Sequence, residues 1–260
     1  MSTLRSILII ISLTIFITIS IPIQTFLNLT NTKYKRKFPL FFYKSVKAII
    51  GLHIIKKNSD KSQDSNVSHG TLYVANHVSW FDIICLGSIL NARFIAKKEV
   101  ASMGIFGFLS TLSNTVYIDN ENKNRVVEYN KFINEKLKDG ENFIIFPEGT
   151  TSDGNGVIKF KSSLLQCAID DTNSIKVRPI SICYSHKNNI KMGIYERRFV
   201  SWVGDTNMVQ AMKNFLLTGP VTVTILIHSP VSDEFFNSRK TITKYCQETI
   251  LEGLNKTIKI

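Results

Sequence analysis

Hydrophobic residues are laid along this chain in three successive patterns. From Ile7 to Leu29 they run almost unbroken, dominated by Ile, Leu and Phe, with no charged side chain between Arg5 and Lys33. A helix over those 23 residues is long enough to cross a hydrocarbon layer ~30 Å thick, with Pro22 kinking or ending it late. The run is long for a cleaved signal peptide and no small-x-small cleavage site follows it, so a membrane anchor is expected. Whether that helix spans the bilayer or dips into one leaflet stays open. From Phe38 to Ile55 the pattern changes. Phe38, Phe41, Phe42, Val46, Ile49 and Ile50 recur at helical spacing, with Lys44, Lys47 and His53 on the remaining faces. That is a basic amphipathic pattern suited to the headgroup region; a helix packed on the body is the other reading. The polar stretch Asn58 to Gly70 reads as a linker.

From Thr71 onward strand-like and helix-like segments alternate. Short β-rich runs occur at Leu72–Ala75, Arg93–Ala96, Thr115–Ile118, Phe143–Phe146, Val177–Cys183 and Val221–His228. Helical patterns lie at Ile83–Leu90, Lys123–Leu137, Asp205–Leu217 and from Arg239 to about Thr257. This alternation predicts an α/β fold, a central mostly parallel or mixed sheet flanked by helices. The expected organisation is a membrane-anchoring helical segment over 1–57, a linker over 58–70 and a domain over 71–260.

Charge sharpens this picture. The net charge is +12, which admits nucleic acid or an anionic membrane surface as partner. Nine basic side chains and one acid, Asp60, lie in residues 1–60, so +8 of the excess flanks the apolar run. That placement favours an anionic membrane surface and, by the positive-inside rule, a domain on the cytoplasmic side of the inner membrane. It disfavours nucleic acid, for which no basic base-reading helix or aromatic-interleaved basic sheet is present. Cys85, Cys167, Cys183 and Cys246 are far apart, with no Cys-x-x-Cys pair and no His at zinc spacing. A disulfide framework and a structural metal are therefore not expected, and a reducing compartment is.

Two segments carry candidate chemistry. In Val74-Ala75-Asn76-His77-Val78-Ser79-Trp80-Phe81-Asp82, a strand ends and His77 follows, with Asp82 five residues later at a helix start. If Ser79 caps that helix, the turn brings the carboxylate back to the imidazole, making a general base for a hydroxyl. An ordinary capping turn with a surface His has the same spacing. In Phe143-Ile144-Ile145-Phe146-Pro147-Glu148-Gly149-Thr150-Thr151-Ser152, an apolar strand runs into a glycine and three hydroxyl residues suited to an anionic oxygen, with Lys159 and Lys161 close behind. A plain strand-end turn has this composition too.

Together, Asn-His-x4-Asp at 76–82 and Phe-Pro-Glu-Gly-Thr at 146–150 resemble the glycerolipid acyltransferase superfamily, most of all its 1-acyl-glycerol-3-phosphate acyltransferases. The resemblance covers roughly residues 70–230. Lys97, Val100, Gly104 and Gly107 are similar to a second block of that family, and Val177-Arg178-Pro179-Ile180 to its last. The resemblance implies that His77 and Asp82 are catalytic, His77 taking the acceptor's hydroxyl proton and Asp82 orienting the ring. Asn76, Lys97, Glu148, Gly149, Thr150 and Thr151 would form the substrate-binding set, Asn76 chiefly by holding the loop shape. It further implies direct attack on the thioester of an acyl-CoA or acyl-acyl carrier protein co-substrate, with no bound cofactor and no metal. No Gly-x-Ser-x-Gly elbow is present. Asn120 and Thr151 stand where the family often has arginines associated with the substrate phosphate, and Lys97, Arg125, Lys159 or Lys161 are the cations that would compensate.

The first expectation is thus transfer of a fatty acyl chain onto membrane-borne 1-acyl-glycerol-3-phosphate, giving phosphatidic acid. Another lysolipid acceptor, such as lyso-ornithine lipid, is the alternative; a non-catalytic basic membrane scaffold is the alternative of another class. Ile105, Phe106, Phe108 and Leu109 are expected to line an acyl tunnel or to pack in the core. His228 reads as a satisfied edge histidine, His69 and His186 as loop residues, Arg197 and Arg198 as a solvated face, and Trp202–Asp205 as a turn and helix cap.

Overall fold

The structure is a computed structural model and describes residues 2–30, 32–59, 70–119, 123–169, 175–203 and 208–259. Asn120, His69, Gly204, Asp205 and most of the expected linker lie outside the described residues.

The strands are β1 (Leu52–Asn58), β2 (Thr71–Ala75), β3 (Arg93–Lys97), β4 (Val116–Ile118), β5 (Phe143–Ile145), β6 (Lys176–Lys187), β7 (Ile190–Lys191) and β8 (Val221–Ile227). Seven of them make one sheet in the order β1-β8-β6-β2-β5-β3-β4, and β7 pairs with the end of β6. β6, β2, β5, β3 and β4 are mutually parallel, while β8 runs antiparallel to β6 and parallel to β1. The sheet is mixed, as the alternation of the sequence predicts. Its central strands are apolar on both faces because both are covered. In β2, Leu72 and Val74 face one layer, and Ala75 faces the other.

Helices α1 (Ser2–Leu29), α2 (Phe38–Ile50), α3 (Phe81–Ile89), α6 (Ile194–Val200) and α7 (Met208–Thr218) gather about the face to which Ala75 points. Helices α5 (Lys123–Lys138) and α8 (Arg239–Lys259) cover the other, and α4 (Gly104–Leu112) lies beside α1. All four cysteines are buried and free.

The structure redraws the N-terminal segment expected over 1–57. Leu52–Asn58 is a strand of the domain's own sheet, paired residue by residue with β8 from Leu52↔Val221 to Asn58↔Ile227. Leu52 is buried, while Lys56 and Lys57 project from an exposed edge, where charge discourages further strand pairing. Nor does α2 offer one clean face to a headgroup layer. Its Tyr43, Val46 and Ile50 are buried against the body, and the Tyr43 ring lies where a β-carbon on Gly87 of α3 would be, 2.4 Å from its Cδ2. Only a glycine at 87 lets the two helices close.

By contrast, α1 keeps most of its apolar surface outside. Only 11% of its most apolar window is buried. Both of its ends are nevertheless tied to the body. Arg5 donates to the carbonyls of Leu216 and Ile50 at 3.0 Å each, at the C-terminal ends of α7 and α2 where carbonyls lack helical partners. At the other end Asn28 donates to Leu112 O of α4 at 3.1 Å. Arg36 of the basic cluster is bonded to Glu141 at 2.8 Å.

Candidate active site

In a parallel sheet the loops that leave the carboxyl ends of adjacent strands meet at one edge. Here those loops follow β2 and β5. As β2 ends, the Asn76 side chain continues the ladder: its amide donates to Ile182 O at 3.0 Å and accepts from Ile182 N at 2.7 Å. The main chain is thus free to turn, and His77 emerges at the edge with 17% of its side chain exposed.

Asp82, in the first turn of α3, is fully buried and receives four hydrogen bonds. Val78 N and Ser79 N donate to its Oδ2 at 2.7 and 2.9 Å, and His77 Nδ1 lies 2.8 Å from the same oxygen. Tyr184 Oη of β6 donates to Oδ1 at 2.8 Å. Burial, reinforced by the Asp82 charge, pushes the Tyr184 phenol well above its ordinary value, so it remains a donor. Trp80 is the N-cap of α3, with no side-chain cap; Asp82 closes the turn by accepting from the backbone N–H of Val78 and Ser79. With both Asp82 oxygens accepting, Nδ1 carries the ring proton and Nε2 is left as an acceptor. The imidazole stacks on Phe146, centroids 4.1 Å apart, which fixes its plane.

The loop after β5 is laced to the first. Glu148 Oε1 accepts from His77 N at 2.8 Å and Oε2 from Ile158 N at 3.0 Å. Ser152 N donates to His77 O at 2.7 Å, and Trp202 N to Val78 O at 3.0 Å. Glu148 is buried, and burial lifts its carboxyl to about 7 against the downward pull of those two amides. Gly149 has φ of 68°, which a side chain rarely adopts, and a β-carbon there would stand 3.0 Å from Lys161 Nζ. Thr151 Oγ1 is bonded to Trp202 O.

The structure therefore joins His77, Asp82 and Glu148 directly and sorts the expected substrate-binding set. Asn76 and Glu148 face inward, bonded to backbone, and Thr151 is engaged by Trp202. Gly149 and Thr150 form the accessible rim, and Lys97 is exposed at the end of β3, two strands over and so about 10 Å away. Of the four compensating cations, Arg125 lies 4.0 Å from Asp119, and Lys161 is placed over the Gly149 turn.

Other expectations divide. Arg197 is buried, donating to Asn155 Oδ1 at 2.7 Å and Met192 O at 2.6 Å, because α6 turns that side inward. His186 lies on β6 at a bulge, half-buried. His228 is bonded to Ser181 at 2.8 Å and held down to about 4 by burial, the satisfied residue expected. Ile105 and Phe108 are exposed on α4, Phe106 packs 5.7 Å from Trp80, and Leu109 lines a small cavity with Ile21, Phe38 and Phe42. Tyr184 carries no motif of its own in the sequence; its signal there is a hydroxyl on the inward row of a buried strand.

An oriented imidazole with an open Nε2 beside a glycine turn suits proton removal from a hydroxyl. Residues 53–183 match the family model described as Acyltransferase. A lyso-ornithine lipid O-acyltransferase of Brucella abortus (strain 2308) is 32% identical over 236 residues, covering 88% of this chain and 86% of that protein. The chain belongs to the glycerolipid acyltransferase family. A 1-acyl-sn-glycerol-3-phosphate acyltransferase of Neisseria gonorrhoeae is 38% identical over a shorter stretch, 39% of this chain and 40% of that protein. The crystal structure of the 1-acyl-sn-glycerophosphate acyltransferase PlsC from Thermotoga maritima superposes with a TM-score of 0.69 at 24% identity, covering 98% of this chain and 97% of that one. This acyltransferase-family chain thus shares its fold over nearly its whole length, N-terminal helices included.

Proposed function

We propose that the protein transfers a fatty acyl chain from an acyl-CoA or acyl-carrier thioester to the hydroxyl of lyso-ornithine lipid. The observation that carries the chemistry is the 2.8 Å contact of His77 Nδ1 with buried Asp82, which leaves Nε2 for the acceptor. Nε2 takes the hydroxyl proton as the oxygen attacks the thioester carbonyl, and the proton can then pass to the departing thiolate. Asp82 orients the ring and stabilises the imidazolium that forms.

Two observations support placing lyso-ornithine lipid ahead of 1-acyl-glycerol-3-phosphate, the acceptor first read from the motifs. Sequence identity to the lyso-ornithine lipid enzyme runs over 88% of the chain and that to the Neisseria gonorrhoeae 1-acyl-sn-glycerol-3-phosphate enzyme over 39%, although a 1-acyl-sn-glycerophosphate acyltransferase shares the fold over 98%. Thr151, moreover, replaces a phosphate-associated arginine and is bonded to Trp202. An ornithine head group presents a carboxylate and an amine in place of a phosphate, and Lys161 over the Gly149 turn suits that carboxylate. α1 would lie along one leaflet of the cytoplasmic membrane, since a helix tied to the body at both ends cannot cross while the body stays in water.

The test is a panel of lysolipids given to purified protein with acyl carrier thioester. Highest kcat/KM on lyso-ornithine lipid is expected. Preference for 1-acyl-glycerol-3-phosphate would restore the first reading of the motifs.

A further inference from the structure

Helix α6 is short and sits directly beside the site, yet its exposed side carries three large apolar residues beside Arg198, with Glu196 exposed at the margin. Ile194 is 63%, Tyr195 86% and Phe199 48% exposed. At 100° per residue these three and Arg198 share one side, while Arg197 and Val200 point inward. Two bulky aromatics and an isoleucine around a single arginine form an unusual surface for water. It is the composition of an interfacial helix, in which the arginine stem lies among apolar groups and its head reaches phosphates. Exposed Lys191 lies just before the helix.

The face is rigidly held to the catalytic rim. Asn155 donates to Ile194 O at 3.2 Å, Arg197 donates back to Asn155, and Ser201 and Trp202 lead on to the Thr151 and Val78 contacts already described. α6 packs on α7 and α7 on α1, which links the face through one intervening helix to the helix that carries the exposed apolar run. Val209 and Leu217 are exposed apolar residues of that intervening helix.

We propose that the outer face of α6, formed by Ile194, Tyr195, Arg198 and Phe199, is a second membrane contact that seats the mouth of the site on an anionic bilayer surface. This rests on the membrane association of α1 inferred above and goes beyond it. α1 keeps the protein at the bilayer; α6 fixes the angle at which His77 meets an acceptor that does not leave the lipid.

All four native cysteines are buried, so Tyr195→Cys places one accessible thiol on the face. It is labelled with a polarity-sensitive fluorophore in the full chain and mixed with vesicles of phosphatidylcholine and phosphatidylglycerol in equal parts. Glu248→Cys on α8, across the sheet, is the control. A blue shift at 195 and none at 248 is expected. In Ile194→Ser/Tyr195→Ser/Phe199→Ser, vesicle partitioning should fall roughly tenfold. KM for acceptor embedded in vesicles should rise with it, while transfer to acceptor in detergent micelles is retained. If the protein stays on vesicles but the label at 195 remains in water, the proposal is overturned. It is equally overturned if the triple variant binds vesicles normally and instead raises KM for the acyl carrier thioester, which would make the face a carrier dock. If the wild type fails to bind vesicles at all, the reading of α1 falls as well, and the two failures are told apart.

Discussion

The turn from β2 into α3 and the loop after β5 each bury one carboxylate beside His77, and the two are bonded differently. Asp82 touches the imidazole itself and gathers Val78 N, Ser79 N and Tyr184 Oη around the same carboxylate. Glu148 touches only main chain, the amides of His77 and Ile158, and so joins the loops without reaching the ring. In the proposed mechanism one carboxylate would set the chemistry of the base, and the other would set where that base stands. Motif spacing shows both as conspicuous acids, and only their partners separate them.

The sharpest way to break this contrast is to neutralise each acid in turn. Asp82→Asn removes the charge that stabilises the imidazolium and lets the ring choose the wrong tautomer, so kcat should fall roughly 10²–10⁴-fold. Steady-state rates with saturating acceptor check it; a loss confined to KM would place Asp82 outside the chemistry. Glu148→Gln should cost less in rate and show itself in stability against pH. Burial raises the folded-state carboxyl from 4.5 to about 7, so the unfolded chain releases this proton first as pH rises. Wild-type stability relative to the Gln variant should therefore be greatest below about 4.5, decline by up to roughly 3 kcal/mol as pH approaches 7, and stay level above. Urea midpoints of both proteins at pH 5 and pH 8 measure this, and a pH-independent difference would contradict the buried placement of Glu148.

Smaller effects sharpen the same comparison at its edges. Lys161→Gln should raise KM for an anionic acceptor roughly tenfold with kcat little changed, and Lys161→Arg should restore most of it. Equal loss with an uncharged acceptor would remove Lys161 from head-group binding. Tyr184→Phe deletes one hydrogen bond to Asp82 and should lower stability by about 1–2 kcal/mol and kcat only a few-fold. Chemical denaturation together with initial rates will show whether that phenol merely supports the carboxylate.

Much of this was legible in the chain, for identifiable reasons. Apolar β-rich runs divided by helical spacing reveal a covered sheet, because strands buried on both faces have to be continuously apolar. Asn-His-x4-Asp is readable because five residues suffice for a strand end, a turn and the first turn of α3. Other features depend on contacts far apart in sequence. β1 looks like part of a basic N-terminal segment until its pairing with β8, some 170 residues later, makes Lys56 and Lys57 an exposed edge. The grease of α2 reads equally well as membrane-facing or core-facing, and Gly87 decides it by admitting the Tyr43 ring. Arg197 resembles its solvent-exposed neighbour Arg198 in sequence, and only the direction in which α6 packs sends one inward to Asn155 and the other out. Net charge was the least direct guide: Arg5 and Arg36, both within the basic N-terminal cluster, are bonded to helix ends and to Glu141.

The most direct measurement concerns His77. His77→Ala and wild type should be compared for acyl transfer to lyso-ornithine lipid in vesicles, with circular dichroism and vesicle binding recorded on the same preparations. The variant should fold and bind as wild type does, with transfer reduced by roughly 10³-fold or more. A folded, vesicle-bound variant that still transfers at the wild-type rate would contradict the role of His77 as the base and, with it, the mechanism built on the Asp82 contact.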